Sequence, residues 1–192
     1  LDIPAGRGDP IQGRAHIEFE RHDPAGFDLV LDFMRPGERV RSVRANGADV
    51  AWNAVEDHVV IPAASLMEGR NQVEVAFTAG DEALNRNEDF LYSLFVPDRA
   101  HFSLPVFDQP HLKGTVAWSL RVPAGWEAVA NGAPGSAAEA HEAGAGEGPE
   151  ARTLVFLPSK PIPTYLFAFA AGAFSVEESV VDGRAMRVYH RE

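Results

Sequence analysis

Apolar and polar residues alternate with period two through much of this chain, and no other feature restricts its fold so tightly. In "RAHIEFE", Ala15, Ile17 and Phe19 fall on one face, and Arg14, His16, Glu18 and Glu20 on the other. "FDLVLDF" repeats the pattern with Phe27, Leu29, Leu31 and Phe33, "QVEVAF" with Val73, Val75 and Phe77, and "VAWSLRV" with Val116, Trp118, Leu120 and Val122. Successive side chains of an extended strand project to opposite sides. The pattern therefore predicts strands with one buried and one wet face, as in antiparallel sheets. "RVRSVRA", "DHVVIP", "RTLVFLP", "YLFAFAAGAF", "ESVV" and "RAMRVYH" are further predicted strands. Turn signals separate them at short intervals: "HDPAG", "RPGE", "ANGAD", "MEGRN", "PAGW" and "VDGR". Asn46-Gly47 and Asp182-Gly183 are tight-turn dipeptides, because such turns demand positive φ. Only "PAASLMEG" has helical character, one or two turns ending at Gly69. The expectation is an all-β sandwich, or a related twisted pair of sheets, with very little helix.

The 192 residues fit one substantial domain, 1–192. Seventeen basic against 28 acidic residues leave a net charge of −11, which opposes nucleic acid and anionic membrane surfaces as partners. The chain has no cysteine, so disulfides, thiolate metal sites and a cysteine nucleophile are excluded. Composition leaves the compartment undecided between cytoplasm and export. No apolar run reaches the roughly 18 residues of a membrane span, and "LDIPAGRGDP" has no signal-peptide pattern. Without an initiating Met, and ending on "YHRE", the chain reads as an excised piece of a longer one. Residues 131–151, "NGAPGSAAEAHEAGAGEGPEA", carry no large apolar side chain and are expected to form a mobile loop between two strands.

Local chemistry is sparse. "HEAGA" at 141–145 begins like the zinc-peptidase motif His-Glu-x-x-His, but Ala145 stands where the second imidazole must be. The remaining histidines, 16, 22, 58, 101, 111 and 190, have no metal-ligand spacing. A Ser93, His101 and Asp108 triad lacks the nucleophile elbow and any oxyanion-hole signal. In "LPVFDQPHLKG", residues 104–114, Asp108 is expected to cap a helix by accepting from the His111 N–H, with Pro110 in the first turn. Val106 and Phe107 would anchor that start by burial.

Two ordered motifs carry a resemblance. Phe107-Asp108-Gln109-Pro110, Leu112-Lys113, Trp126 and Asn131 are followed by Pro161-Ile162-Pro163-Thr164-Tyr165-Leu166-Phe167-Ala168-Phe169, with Gly172 and Phe174. Together with "L-x-x-G-x-N" at Leu66, Gly69 and Asn71, this resembles the N-terminal β domain of the zinc aminopeptidase N and leukotriene hydrolase metallopeptidase family, in a bacterial-type member. The resemblance implies a saddle-like β-sandwich of twisted, mostly antiparallel sheets, packed on a catalytic domain absent from this chain. That domain would bind zinc and hydrolyse the first bond of a peptide substrate; this chain would have no catalytic or metal residue. It further implies that Ser93, Leu94, Phe95 and Val96 line the substrate cleft, although alternating strand burial explains the same residues. Leu94 and Val96 replace the family's Gln and Glu, which receive the substrate amine; the Arg of its D-A-R-R run gives way to His101 and Phe102. Amine recognition then lies wholly on the absent domain, substrate preference differs, or activity is lost. Two rival readings stand beside this one. One is a stand-alone sugar- or protein-binding β-sandwich using Trp52, Trp118 and Trp126; the other is a scaffold domain of an inactive homologue.

Overall fold

The computed structural model describes residues 1–22, 26–136 and 151–191. Strands follow the alternating segments in chain order. β1 is Gln12–Arg21, β2 Leu29–Asp32, β3 Val40–Ala45, β4 Ala48–Asp49, β5 Asn53–Val55, β6 His58–Ile61 and β7 Gly69–Thr78. After these come β8 Leu84–Arg86, β9 Phe90–Ser93, β10 Trp118–Pro123, β11 Glu127–Ala130 and β12 Ala151–Phe156. β13 is Phe169–Gly172, β14 Ser175–Val181 and β15 Arg184–His190. Among the described residues the α-helix amounts to one turn, α1 at Pro36–Arg39, where the sequence reads "RPGE".

Every pair of named strands is antiparallel. One sheet runs β1-β7-β3-β4 and another pair is β10-β12; Asp2 bridges Gln12 on one side and Arg121 on the other, so the N-terminus stitches them together. β2-β6-β5 form a second sheet, β11-β13-β9-β8 a third, and β14-β15 a hairpin. The buried faces meet in one core containing Leu31, Phe33, Val73, Val75, Phe77, Leu91, Phe95, Leu120, Val122 and Phe169. Phe33 meets Phe77 edge-on at 5.5 Å, and Gly13 lies opposite Phe77 in the β1–β7 register. A Cβ at Gly13 would run into the Phe77 ring, so the missing side chain is what admits the aromatic.

Both tight turns form as the dipeptides predict: Asn46 and Gly47, and Asp182 and Gly183, all have positive φ and close the β3–β4 and β14–β15 hairpins. Three expectations change. Phe27 is 72% exposed and precedes its strand, which starts at Leu29. "PAASLMEG" contains a single 3₁₀ turn, Ala63–Ser65, and Gly69 opens β7 instead of ending a helix. The buried Asn71 side chain accepts from the Met67 N–H at 2.9 Å and donates to the Met67 and Gly69 carbonyls at 2.7 and 3.0 Å, which holds that backbone out of a helix. This gives "L-x-x-G-x-N" a physical meaning. "YLFAFAAGAF" is likewise shorter than expected: Thr164–Leu166 is a 3₁₀ turn, and only Phe169–Gly172 pairs. Most of the Ala/Gly/Glu segment, with "HEAGA", lies outside the described residues; its flanks pair through Pro134 and Phe156.

Candidate functional site

The 104–114 run adopts neither helix nor extended strand. Val106 exchanges backbone hydrogen bonds with Asp32 at the end of β2, at 2.8 and 3.1 Å, and is buried. Phe107 packs edge-on against Phe19 at 5.9 Å. Buried Val106 and half-buried Phe107 anchor the run, but what they position is not a helix cap. No helix begins at Asp108 among the described residues, and Gln109, Pro110 and His111 are exposed. The Asp108 carboxylate, 6% exposed, turns inward. Its Oδ2 accepts from the His101 ring Nδ1–H at 2.6 Å and the His101 backbone N–H at 3.1 Å; its Oδ1 accepts from the Thr164 hydroxyl. The cap fails because these tertiary donors, one of them cationic when protonated, bind a carboxylate better than a single backbone N–H.

A second carboxylate extends the cluster. Asp32 Oδ2 accepts from the Asp108 N–H at 2.8 Å and the Gln109 side-chain amide at 2.9 Å, and its Oδ1 lies 3.4 Å from His58 Nε2. The charges answer one another. The hydrogen bond to Asp108 raises the His101 pKa above the ordinary imidazole value, against the lowering effect of burial. Burial alone would push the Asp108 carboxyl up; the bonds from the His101 ring, Thr164 and the His101 backbone outweigh it and hold it below the usual carboxylate range. Ser93 is not part of this cluster. Its hydroxyl accepts from the Phe169 N–H at 3.1 Å and lies 3.4 Å from the Phe169 carbonyl, so it pins β13 to β9 and no triad exists.

The third sheet turns a row of side chains outward. Asn85, Tyr92, Ala170 and Val129 are register partners across β8, β9, β13 and β11, so they form one row on one side. Tyr92 and Val129 are exposed, Leu94 is 45% and Val96 63% exposed, and Asn85 donates to the Tyr92 hydroxyl at 2.8 Å. Phe95 alternates to the other side, is 2% exposed and meets Phe169 at 6.4 Å, so it is a core residue. Of the four predicted cleft residues, then, Leu94 and Val96 face solvent, Ser93 is half-buried and Phe95 is internal. The Val96–Pro97 bond is cis.

Among the described residues, no group of three or more His, Asp or Glu is placed to hold a metal ion. Within this cluster His101 and Asp108 bind each other, and Asp32 accepts from the Asp108 N–H and the Gln109 amide. Trp118 and Trp126 are buried, which removes them as a ligand-stacking platform; Trp118 packs on Phe169 at 5.0 Å. No helix among the described residues is long and apolar enough to cross a membrane.

No protein-family model matches the chain. Aminopeptidase N from Streptomyces lividans is 26% identical over 194 residues, covering 95% of this chain and 21% of the relative. An M1 zinc metallopeptidase from Deinococcus radiodurans superposes with a TM-score of 0.74 at 20% identity, over 98% of this chain and 44% of that one. The chain is similar in sequence to part of an aminopeptidase N and shares the fold of part of an M1 zinc metallopeptidase. The native yeast LTA4 hydrolase shares the fold, with a TM-score of 0.72 at 19% identity, over 92% of this chain and 28% of that one. The chain thus spans less than half of each of these proteins. Within it, Asp108 and Thr164, one from each recognised motif, are hydrogen-bonded partners, so the two motifs form one structural unit. Sequence reasoning missed Asp32, because alternation marks it only as a polar-face residue of β2.

Proposed function

We propose that this chain is the non-catalytic N-terminal β domain of a zinc-dependent aminopeptidase-like metallopeptidase. In this reading it packs on a catalytic domain of the same polypeptide, walls the substrate cleft, and the whole protein removes N-terminal amino acids from peptides. The observation that carries the reading is the match of nearly the whole chain to less than half of a zinc metallopeptidase. The outer face of the third sheet supports it. Leu94 and Val96, just past the end of β9, stand exposed, as do Tyr92 and Val129 on the sheet, and apolar surface without a cover is costly in water. Leu94, Val96 and the rim at Ser93 would line the cleft, and Phe95 would hold that strand from behind. Leu and Val cannot pair with a substrate ammonium, so in this reading they contribute apolar contact and shape.

The test is hydrolysis of an aminoacyl reporter by the polypeptide extended into the following coding sequence, beside the chain alone. The extended protein should cleave the reporter. Substituting Leu94→Ser should raise its KM more than it lowers kcat, because a wall residue affects binding without touching the reacting bond. Equal activity in the chain alone, or an inert extended protein, contradicts the reading.

A further inference from the structure

The cluster around Asp108 has a property independent of any activity of a longer protein. We infer that His101 and Asp108 form a pH-operated latch, which fastens the 104–114 run to the Thr164–Leu166 turn while the imidazole is protonated and loosens as that proton leaves.

The geometry concentrates the control on one ring. Asp108 ties three segments together: its own run, the 3₁₀ turn Ala100–Phe102 through His101, and the 3₁₀ turn Thr164–Leu166 through Thr164. Three carboxylates act on the His101 ring: Asp108, Asp32 on β2, and Asp98 just before the turn. Asp32 and Asp108 are joined directly, since the Asp108 N–H donates to Asp32. The other cations nearby have partners of their own: Arg39 donates to the Phe102 carbonyl at 2.9 Å and pairs with Glu82. His58 on β6 faces Asp32, whereas the Arg99 guanidinium lies over the Phe102 ring, 5.4 Å from its centroid, and bonds the Glu82 carbonyl. Protonated His101 therefore supplies the nearest cation to a buried carboxylate. Once neutral, it keeps at most the hydrogen bond, and the three carboxylates are left facing one another with less compensation.

The direction follows from the raised imidazole value. Such a group contributes in full below its ordinary value, about 6.5, and its contribution is lost as pH rises through the higher folded value. Each unit of upward displacement corresponds to about tenfold in the ratio of closed to open latch. The consequence reaches the exposed face, because the Thr164–Leu166 turn leads into β13, which pairs with β9 two residues before Leu94.

Amide hydrogen exchange on the intact chain, at about pH 6 and about pH 9, tests this. The His101 and Asp108 amides both donate into the latch, and Val75 in central β7 serves as reference. After correction for the intrinsic rate, protection of the two latch amides should fall relative to Val75 across that range, and His101→Gln should abolish the difference. Latch amides that track Val75, or an equal loss in His101→Gln, overturn the inference. An NMR titration of the wild-type imidazoles stands even where the variant folds poorly: a His101 midpoint at or below about 6.5 overturns it as well.

Discussion

Replacing Asp108 by Ala tests the central polar contact most severely. The carboxylate is 6% exposed and receives three hydrogen bonds, two from His101 and one from Thr164. Removing it strands these donors. Each buried group left without its partner costs about 1–3 kcal/mol. The His101 side chain is 25% exposed, so water recovers part of its share. The sum is about 2–4 kcal/mol, toward the low side of what breaking a buried pair costs. Urea unfolding at about pH 6 should show a lower midpoint with an unchanged slope, and the Tm should drop by roughly 4–16 °C for a domain of this size. A helix cap predicts something else: a loss of about 1 kcal/mol and no coupling to position 164. A double-mutant cycle with Thr164→Val separates the two, since bonded neighbours couple by about 0.5–3 kcal/mol. An Asp108→Ala loss below about 0.5 kcal/mol, or additive effects of the two substitutions, would refute the reasoning.

Other consequences follow from the same structure. Leu120→Ala, at a wholly buried core position, should cost about 2–5 kcal/mol, whereas Phe27→Ala at an exposed one should stay within about 0.5; denaturant midpoints compare them. Gly13→Val forces the Phe77 ring aside and should cost about 1–3 kcal/mol by the same measurement, more than Gly47→Ala only if overpacking outweighs turn strain. On the acid side, the lowered Asp108 value means stability present above the ordinary carboxylate range and lost as pH falls through the folded value. The acid limb of an unfolding profile should therefore flatten in Asp108→Asn.

Much of the fold was legible because alternation is a direct readout of which face is buried. Val73, Val75, Phe77, Leu120 and Val122 all proved internal, and both Gly-containing hairpin turns formed. Failures came where specific side-chain contacts, which alternation does not encode, overrode a local signal. Asn71 binds the Met67 N–H and carbonyl and the Gly69 carbonyl where composition favoured helix, and Phe27 lies outside the strand its alternation would extend. The same holds for the polar cluster. His101 and Asp108 are seven residues apart and could be paired on paper, but Thr164 lies 56 residues further on and Asp32 76 residues before. No local pattern encodes such a meeting. The resemblance marked Asp108 and Thr164 as members of two motifs without saying that one holds the other.

Zinc content of the purified chain tests the account most directly. If the working metal belongs to polypeptide beyond these residues, elemental analysis after dialysis against trace zinc should find no stoichiometric metal. One tightly held zinc per chain would contradict it, because the ligands would then have to come from this β domain itself.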